Sequence, residues 1–490
     1  MSTHSSLKRN YLYNLLNVGG GLIFPLFSFP YASRILMADG LGLVSFYQSI
    51  IAYIALAAAI GIPLYAVREV ARVRDDPRQA AIVTLEVSIL HGSTTLIAYL
   101  LVIALTLFLP RISHPHLFLL ISSMLALQVI GAGWFFQAME DFKYVTIRVS
   151  ILRVFLLAGL FLFVKSKDDL IFYSLIHVLG EMGASFFNLF RLRTYFKGIR
   201  LTLTDLHPLR HLRPALNIFA LNVVISIYVN LDSVMLGFIN DDAAVGFYSP
   251  ALRLTKTAIG IVSALGAVLL PRFSNMISNN QTQAFNELAS KAIAFVFFLS
   301  LPMMVGLIAL APAAILLFSG SNYQPSILTL QLLAPIIPAI SLSGIIGMQI
   351  LYAQGKEHIV LRATTAGALI NLTLNLLLMP HFAQWGAAAS TSIAEITVTL
   401  LCIFLGRPYF SFAFRHTSTL NYFTATALLI PYLLLLSHLI SNPLTLILTA
   451  IPSSTLLYAA FLFLRRDRFI LQILSLCRNY CTNEKRSDSP

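Results

Sequence analysis

Four runs in this chain, Leu96–Leu109, Val154–Val164, Val296–Phe318 and Leu420–Ile440, contain almost no ionisable side chain. Few folds accept such a pattern. In hydrocarbon, only α-helices and closed β-barrels satisfy all their backbone hydrogen bonds. A barrel strand alternates apolar and polar residues, whereas these runs are continuous. A helix that crosses a bilayer needs roughly 20 apolar residues, and apolar runs recur along the whole chain between short polar segments. Of the 490 residues, 58% are hydrophobic and 11% charged, against about 25% charged in an average soluble domain. A water-soluble core would not absorb so many apolar side chains. The fold class is therefore an all-α polytopic membrane protein.

About fourteen transmembrane helices are expected at that span length, near 12–36, 42–66, 80–109, 117–138, 145–164, 169–190, 214–238, 246–271, 288–311, 323–353, 359–379, 386–405, 419–440 and 443–464. Lys8 and Arg9 precede an apolar run that reaches Leu36. That run is too long for a signal-peptide core and reads as a retained first span. An even number of spans returns the C-terminus to the side of the N-terminus. With that side cytoplasmic, most of the 33 Lys and Arg fall in or beside inner segments, as the positive-inside rule requires. The densest are Val67–Gln79, Arg191–Arg200 and Leu464–Phe469. The net charge of +13 thus follows from topology and does not point to nucleic acid.

The phrase "ADGLGLVSFYQS" (Ala38–Ser49) is echoed by "DDAAVGFYSPA" (Asp241–Ala251). Both fall at outer turns, the first after span one and the second after span seven. Two further landmarks repeat in the same order. "GIPLYAVREVARVRDDPRQ" follows span two as "LLPRFSNMISNNQTQ" follows span eight, and "FFQAMEDFKYVTIR" follows span four as "LYAQGKEHIVLR" follows span ten. The expected organisation is two six-helix repeats, 1–200 and 205–410, two additional helices in 415–466, and a cytoplasmic tail, 467–490. Repeats of an even number of spans are parallel, related by an axis along the membrane normal, and such pairs enclose a central cavity in several transporters.

"FPYASRILMADGLGLVSFYQSI", "GIPLYAVREVAR", "GWFFQAMEDFKYVTIR" and "NLDSVMLGFINDDAAVGFYSPALRLTK", in this order, closely resemble the bacterial polysaccharide (O-antigen, Wzx-type) flippases. That family belongs to the superfamily that also holds the MATE exporters and the lipid II flippases. The resemblance covers nearly the whole chain. It implies a twelve-helix, two-bundle core with two added helices, in the bacterial cytoplasmic (inner) membrane. It also implies transport rather than catalysis, with undecaprenyl-pyrophosphate-linked oligosaccharide carried to the outer leaflet for surface polysaccharide assembly. The bilayer, a polymerase and other assembly proteins are the implied partners.

Ionisable residues inside spans are costly and are functional candidates by default. Arg253 and Lys256 lie three apart on one face of span eight, roughly 10 and 15 Å below the outer surface at about 1.5 Å per residue. Asp232 on span seven lies at similar depth. A structural Asp232–Arg253 pair would still leave one cation in excess, and guanidinium groups bind pyrophosphate in bidentate fashion. Arg34 and Asp39 flank the outer end of span one as a rim pair. Arg68, with Glu69 and Arg72, stands at the inner mouth of span two, and Arg148 and Arg153 begin span five. His177 and Glu181, Glu86 with His91, and Glu395 are titratable groups that would couple transport to protons, or else satisfy helix packing. Asn371 and Asn375 read as interhelical hydrogen-bonding residues, and Trp134–Phe136 as part of an interfacial aromatic belt.

No cofactor is expected. Cys402, Cys477 and Cys481 offer neither a disulfide framework nor metal spacing, the "GGGL" at Gly19–Leu22 lies inside a span, and no phosphate-binding G-x-x-x-x-G-K-[ST] occurs. The energy source would be an ion gradient, the substrate gradient or a partner. The tail segment Arg468–Tyr480 reads as an interfacial helix, and the residues after it as disordered. Two rival readings are a MATE-like drug/cation antiporter, which favours an acid-rich cavity, and a membrane polysaccharide polymerase or ligase. The latter calls for a sizeable outer loop, whereas "PRISHPH" and "KSKDD" are short.

Overall fold

The structure is a computed structural model that describes residues 7–199, 201–264, 266–415, 419–467 and 469–471. Among these residues all regular structure is helical. The chain divides into two compact units, Met1–Gly246 and Phe247–Pro490. Most of the interfacial helix expected at Arg468–Tyr480, and the residues after it, lie outside the described residues.

The first unit comprises α1 (Leu7–Ala59), α2 (Ile62–Arg72), α3 (Pro77–Phe108), α4 (Pro115–Gly131), α5 (Gly133–Ala138), α6 (Phe142–Phe163), α7 (Leu170–Tyr195), α8 (Leu212–Ile239) and the start of α9 (Asp242–Ser263). The second holds the rest of α9, then α10 (Gly266–Ser278), α11 (Thr282–Ala309), α12 (Ala311–Ser319), α13 (Pro325–Leu333), α14 (Ile336–Ser343), a π-helical turn at Gly344–Leu351, α15 (Glu357–Arg415), α16 (Thr419–Leu439) and α17 (Pro443–Leu464). Nine of the described helical stretches are long and apolar enough to cross a membrane. Several are apolar all round, as a lipid-facing helix must be; Phe155 on α6 and Phe404 on α15 are 70% and 74% exposed.

The structure corrects several span boundaries. The turns expected near 37–41 and 380–385 are bends inside single helical runs. α1 bends at Met37 (φ 59°) and α15 at Ala383 (φ 45°). A single left-handed residue redirects the helix axis there with no loop. Spans two, four and eight are in turn interrupted. α1 stops before Gly61 (φ 73°), α4 before Ala132 (φ 39°), and α9 before α10. Gly61 is required on two counts. Its φ is left-handed, and a Cβ there would lie 2.6 Å from the Ala215 carbonyl oxygen. Pro63, in the first turn of α2, lacks an N–H that would have no helical partner.

Trp134, Phe135 and Phe136 are not belt residues. They are 6%, 0% and 0% exposed and fill the core of the first unit with Tyr65, Val70, Val87 and Ala215. Phe135 packs edge-on against Tyr195 and Phe196 at 5.3 Å. The break at Ala132 turns α5 inward, which is why aromatic residues near a span end are buried. In the second unit α16 and α17 pack with α11 through Tyr422, Leu429, Tyr458 and Leu462, all 5% exposed or less.

Candidate functional site: a polar cavity in the first unit

Six of the residues singled out above, His91 and Trp134 among them, meet in one place. Arg148 and Arg153 on α6, and His177 and Glu181 on α7, line a cavity of about 500 Å³ inside the first unit. α1, α3 and α4 close it with Phe24, His91 and Gln128. The volume lies within the range of small-molecule sites. His177 and Glu181 share a face because they are one helical turn apart. Arg148 donates to Asn188 Oδ1, and Asn188 is itself held by donation from its Nδ2 to the Gly131 carbonyl at 2.8 Å. Tyr144 adds a second donor to Asn188 Oδ1 at 3.3 Å.

Arg153 packs against Gly20 in the run of glycines of span one. Its Nη1 donates to the Asn17 carbonyl at 3.2 Å, and a Cβ on Gly20 would sit 2.5 Å from that nitrogen. The "GGGL" is thus a cradle for a guanidinium. Gly20→Leu is expected to swing the flexible Arg153 side chain off the cavity wall and to destabilise the unit by only about 1 kcal/mol, the worth of the lost hydrogen bond to Asn17. Thermal melting of the purified protein checks this, with Gly19→Leu, where a Cβ meets nothing within 4 Å, as the control.

Three atoms on this cavity's walls are buried without a hydrogen-bond partner: His91 Nδ1, Trp134 Nε1 and Arg148 Nε. Buried polar groups in folded proteins are nearly always satisfied.

Glu86 stands elsewhere. It is fully buried on α3 and ties down the segment that connects α7 to α8. Its carboxylate accepts from the His207 backbone N–H at 2.6 Å, from Arg210 at 2.5 Å and from His211 Nε2 at 2.8 Å. The far side of the His211 ring meets the Tyr65 hydroxyl at 2.6 Å. Nearby, Thr202 donates to Asp205 through its backbone N–H at 3.1 Å and its hydroxyl at 3.0 Å. These bonds hold the Asp205 carboxyl below the usual carboxylate range.

The two echoed phrases cross each other at the end of the first unit opposite the basic loops. A Cβ on Gly42 would land on the Asp242 carbonyl oxygen, and one on Gly246 on that of Ala38. Two helices therefore meet backbone to backbone, each through a glycine. Arg111 locks the crossing. Its Nε donates to the Gly237 carbonyl at 2.5 Å and its Nη2 to Asp242 Oδ1 at 2.6 Å, with its guanidinium 5.0 Å from the centre of the Phe46 ring. Arg111 sits in a short loop between spans, so no pattern in the sequence marked it.

The remaining candidates do not join the cavity. Arg34 and Asp39 are exposed on α1 around the Met37 bend. Arg68 pairs with Glu69 at 3.2 Å, as does Arg72 at 3.0 Å, so one carboxylate is shared by two exposed cations. Asp232 is half-buried on α8, within electrostatic reach of Tyr53. Arg253 is half-buried on α9 and Lys256 exposed. In the second unit Glu395 is 9% exposed on α15. Asn375 donates to Asn371 at 3.1 Å, and Asn371 to Thr391 at 3.2 Å across the Ala383 bend. That is an interhelical hydrogen-bonding role.

A family model described as "Polysaccharide biosynthesis protein" matches residues 7–277, and a second, MatE, matches 218–377. The chain is 24% identical over 405 residues to a putative O-antigen transporter of Escherichia coli (strain K12), covering 82% of this chain and 97% of that protein. Among solved structures it resembles the lipid II flippase MurJ in an inward closed conformation, with a TM-score of 0.69 at 18% identity over 93% of this chain and 99% of the other. It also resembles an inward-facing multidrug MATE transporter, with a TM-score of 0.66 at 15% identity over 83% and 99%. The structural likenesses establish the fold. All three relatives are transporters rather than catalysts.

Proposed function

Because the chain belongs to the polysaccharide biosynthesis protein family, we propose that it is a flippase for undecaprenyl-pyrophosphate-linked oligosaccharide. In this reading it carries the lipid-linked unit from the cytoplasmic to the outer leaflet of the bacterial inner membrane by alternating access. The supporting observation is the sign of its intramembrane charge. Arg148 and Arg153 face one acid, Glu181, in the cavity of the first unit, and Arg253 and Lys256 follow on α9. A cation exporter calls for the opposite balance. A pyrophosphate carries its negative charge through every step, and fixed guanidinium groups compensate it without a proton.

Two roles are assigned within this reading. Arg253 and Lys256 hold the pyrophosphate, and Glu181 with His177 binds the coupling proton. One charge-assisted hydrogen bond is typically worth about 1.5–3 kcal/mol, so Arg253→Ala or Lys256→Ala is expected to weaken headgroup binding roughly ten- to a hundredfold at normal membrane abundance. Rescue of export by Asp232→Ala combined with Arg253→Ala would instead make Arg253 a partner of Asp232 only. Glu181→Gln is expected to abolish gradient-driven export and to leave binding of the lipid-linked sugar intact. Normal gradient dependence in that variant would remove Glu181 from the coupling path.

The orientation is tested separately. Single cysteines at Asp39 and Ser321 are expected to react with an impermeant thiol reagent added outside the cell, and those at Asp75 and Asn279 only after the membrane is breached. Equal reaction of both pairs would overturn the assignment of cytoplasmic termini.

A further inference from the structure

On the lipid-facing side of the first unit, α6 and α7 form a second recess of about 360 Å³. Its mouth carries Asp141, Lys143, Arg148 and Arg191, and its floor Ile147, Ile151 and Phe187. The arrangement follows from helix geometry. Lys143, Ile147 and Ile151 succeed one another at four-residue spacing on α6, and Arg191 stands one turn beyond Phe187 on α7. At about 1.5 Å per residue, Ile151 lies roughly 6 Å beyond Ile147 and 12 Å beyond Lys143. Past Arg148, which stands one residue beyond Ile147, the α6 side of the recess is apolar. Ile147, Ile151 and Phe187 are 45%, 48% and 47% exposed, an apolar track open to whatever surrounds the bundle.

The charges do not cancel. Asp141 pairs with Arg191 at 3.2 Å and also accepts from the Tyr195 hydroxyl at 3.1 Å. Arg148 and Arg191 both lie against the Tyr144 ring, 5.5 and 5.4 Å from its centre. Three cations therefore surround one carboxylate. We propose that this recess binds an anionic phospholipid of the surrounding leaflet. Its phosphate lies against Lys143 and Arg191, and an acyl chain runs along Ile147, Ile151 and Phe187. Arginine matches phosphate geometrically, and basic pockets between membrane helices recognise anionic headgroups. A neutral lipid would leave the excess cations unpaired. A soluble phosphate would leave the apolar track without a partner. The inference rests on the membrane location alone and holds whatever the protein transports.

The test is native mass spectrometry of the full-length protein in detergent, titrated with dioleoyl phosphatidylglycerol or dioleoyl phosphatidylcholine. Phosphatidylglycerol is expected to be retained well above phosphatidylcholine, and millimolar inorganic phosphate should not displace it. Lys143→Gln and Arg191→Gln should each weaken retention roughly tenfold, the order expected for one charge-assisted contact. Arg193→Gln should not, because Arg193 lies two residues on and so on the other side of α7. Arg191→Gln leaves Asp141 without its ion pair, whereas Lys143→Gln keeps that pair. A Lys143→Gln protein that elutes like the parent and holds phosphatidylglycerol as tightly overturns the proposal. So does equal retention of the two lipids, equal weakening by Arg193→Gln, or displacement by inorganic phosphate.

Discussion

Glu86→Ala is expected to cost about 3 kcal/mol or more of stability and to reduce the amount of protein in the membrane several-fold. The carboxylate has no exposed surface, and three donors converge on it: the His207 N–H, Arg210 and His211. Removing one partner of a buried charged pair typically costs 3–5 kcal/mol, because the other is left uncompensated. The lower end applies, since the Arg210 side chain is 49% exposed and water takes over part of the carboxylate's role. His211 is 4% exposed and has no such recourse. Glu86→Gln keeps an acceptor for the His207 N–H and should recover part of the loss. Tyr65→Phe, which removes only the contact to His211 Nδ1, should cost about 1 kcal/mol. Melting of the four purified proteins gives the ordering. If Glu86→Ala melts like the parent yet fails to transport, Glu86 belongs to the coupling machinery and not to the tie between α3 and the connecting segment.

That result bears on what a sequence discloses. A charge in an apolar run is conspicuous, and Glu86, Arg148, Arg153 and Glu181 stood out for that reason. Whether it faces a cavity or a neighbouring backbone depends on partners far away in the chain. Glu86 meets residues 207–211, and Arg153 meets Asn17. Helix spacing places His177 over Glu181, but nothing local places Asn188 beneath Arg148. The helices were legible because a bilayer admits few alternatives for long uncharged runs. Their bends were not. Met37, Ala132 and Ala383 take left-handed φ although none is glycine. Such a residue costs on the order of 1 kcal/mol and is held there by packing of whole helices; Ala132 lies between two glycines and Ala383 three residues after Pro380, but nothing comparable marks Met37. The Trp134–Phe136 triplet misled in the opposite sense, because residue type suggested an interface and the break at Ala132 buried it.

The duplicated phrase carries the other large effect. Alanine is normally the better helix residue, by about 1 kcal/mol over glycine, so Gly42→Ala in α1 would stabilise an isolated helix. In the folded chain the new methyl group would overlap the Asp242 carbonyl oxygen. Backbone cannot rotate aside as a side chain does, and overpacking of this kind costs about 1–3 kcal/mol or more. If the crossing of α1 with the start of α9 is the outer gate of an alternating-access cycle, the cost falls only on the closed state. Each 1.4 kcal/mol then shifts the ratio of closed to open tenfold. Leu41, next to Gly42 in the chain and 1% exposed, supplies the reporter. A cysteine there is expected to react with an impermeant reagent roughly ten to a hundred times faster in Gly42→Ala than in the parent. Arg111→Ala, which removes the charge-assisted bond to Asp242 and the bond to Gly237, should accelerate labelling about tenfold. Together they separate a gate from a fixed strut. A strut damaged by Gly42→Ala loses abundance and melting temperature, and its labelling rises no more than that of a cysteine at Ile121, 1% exposed on α4. A gate keeps both and exposes Leu41 alone.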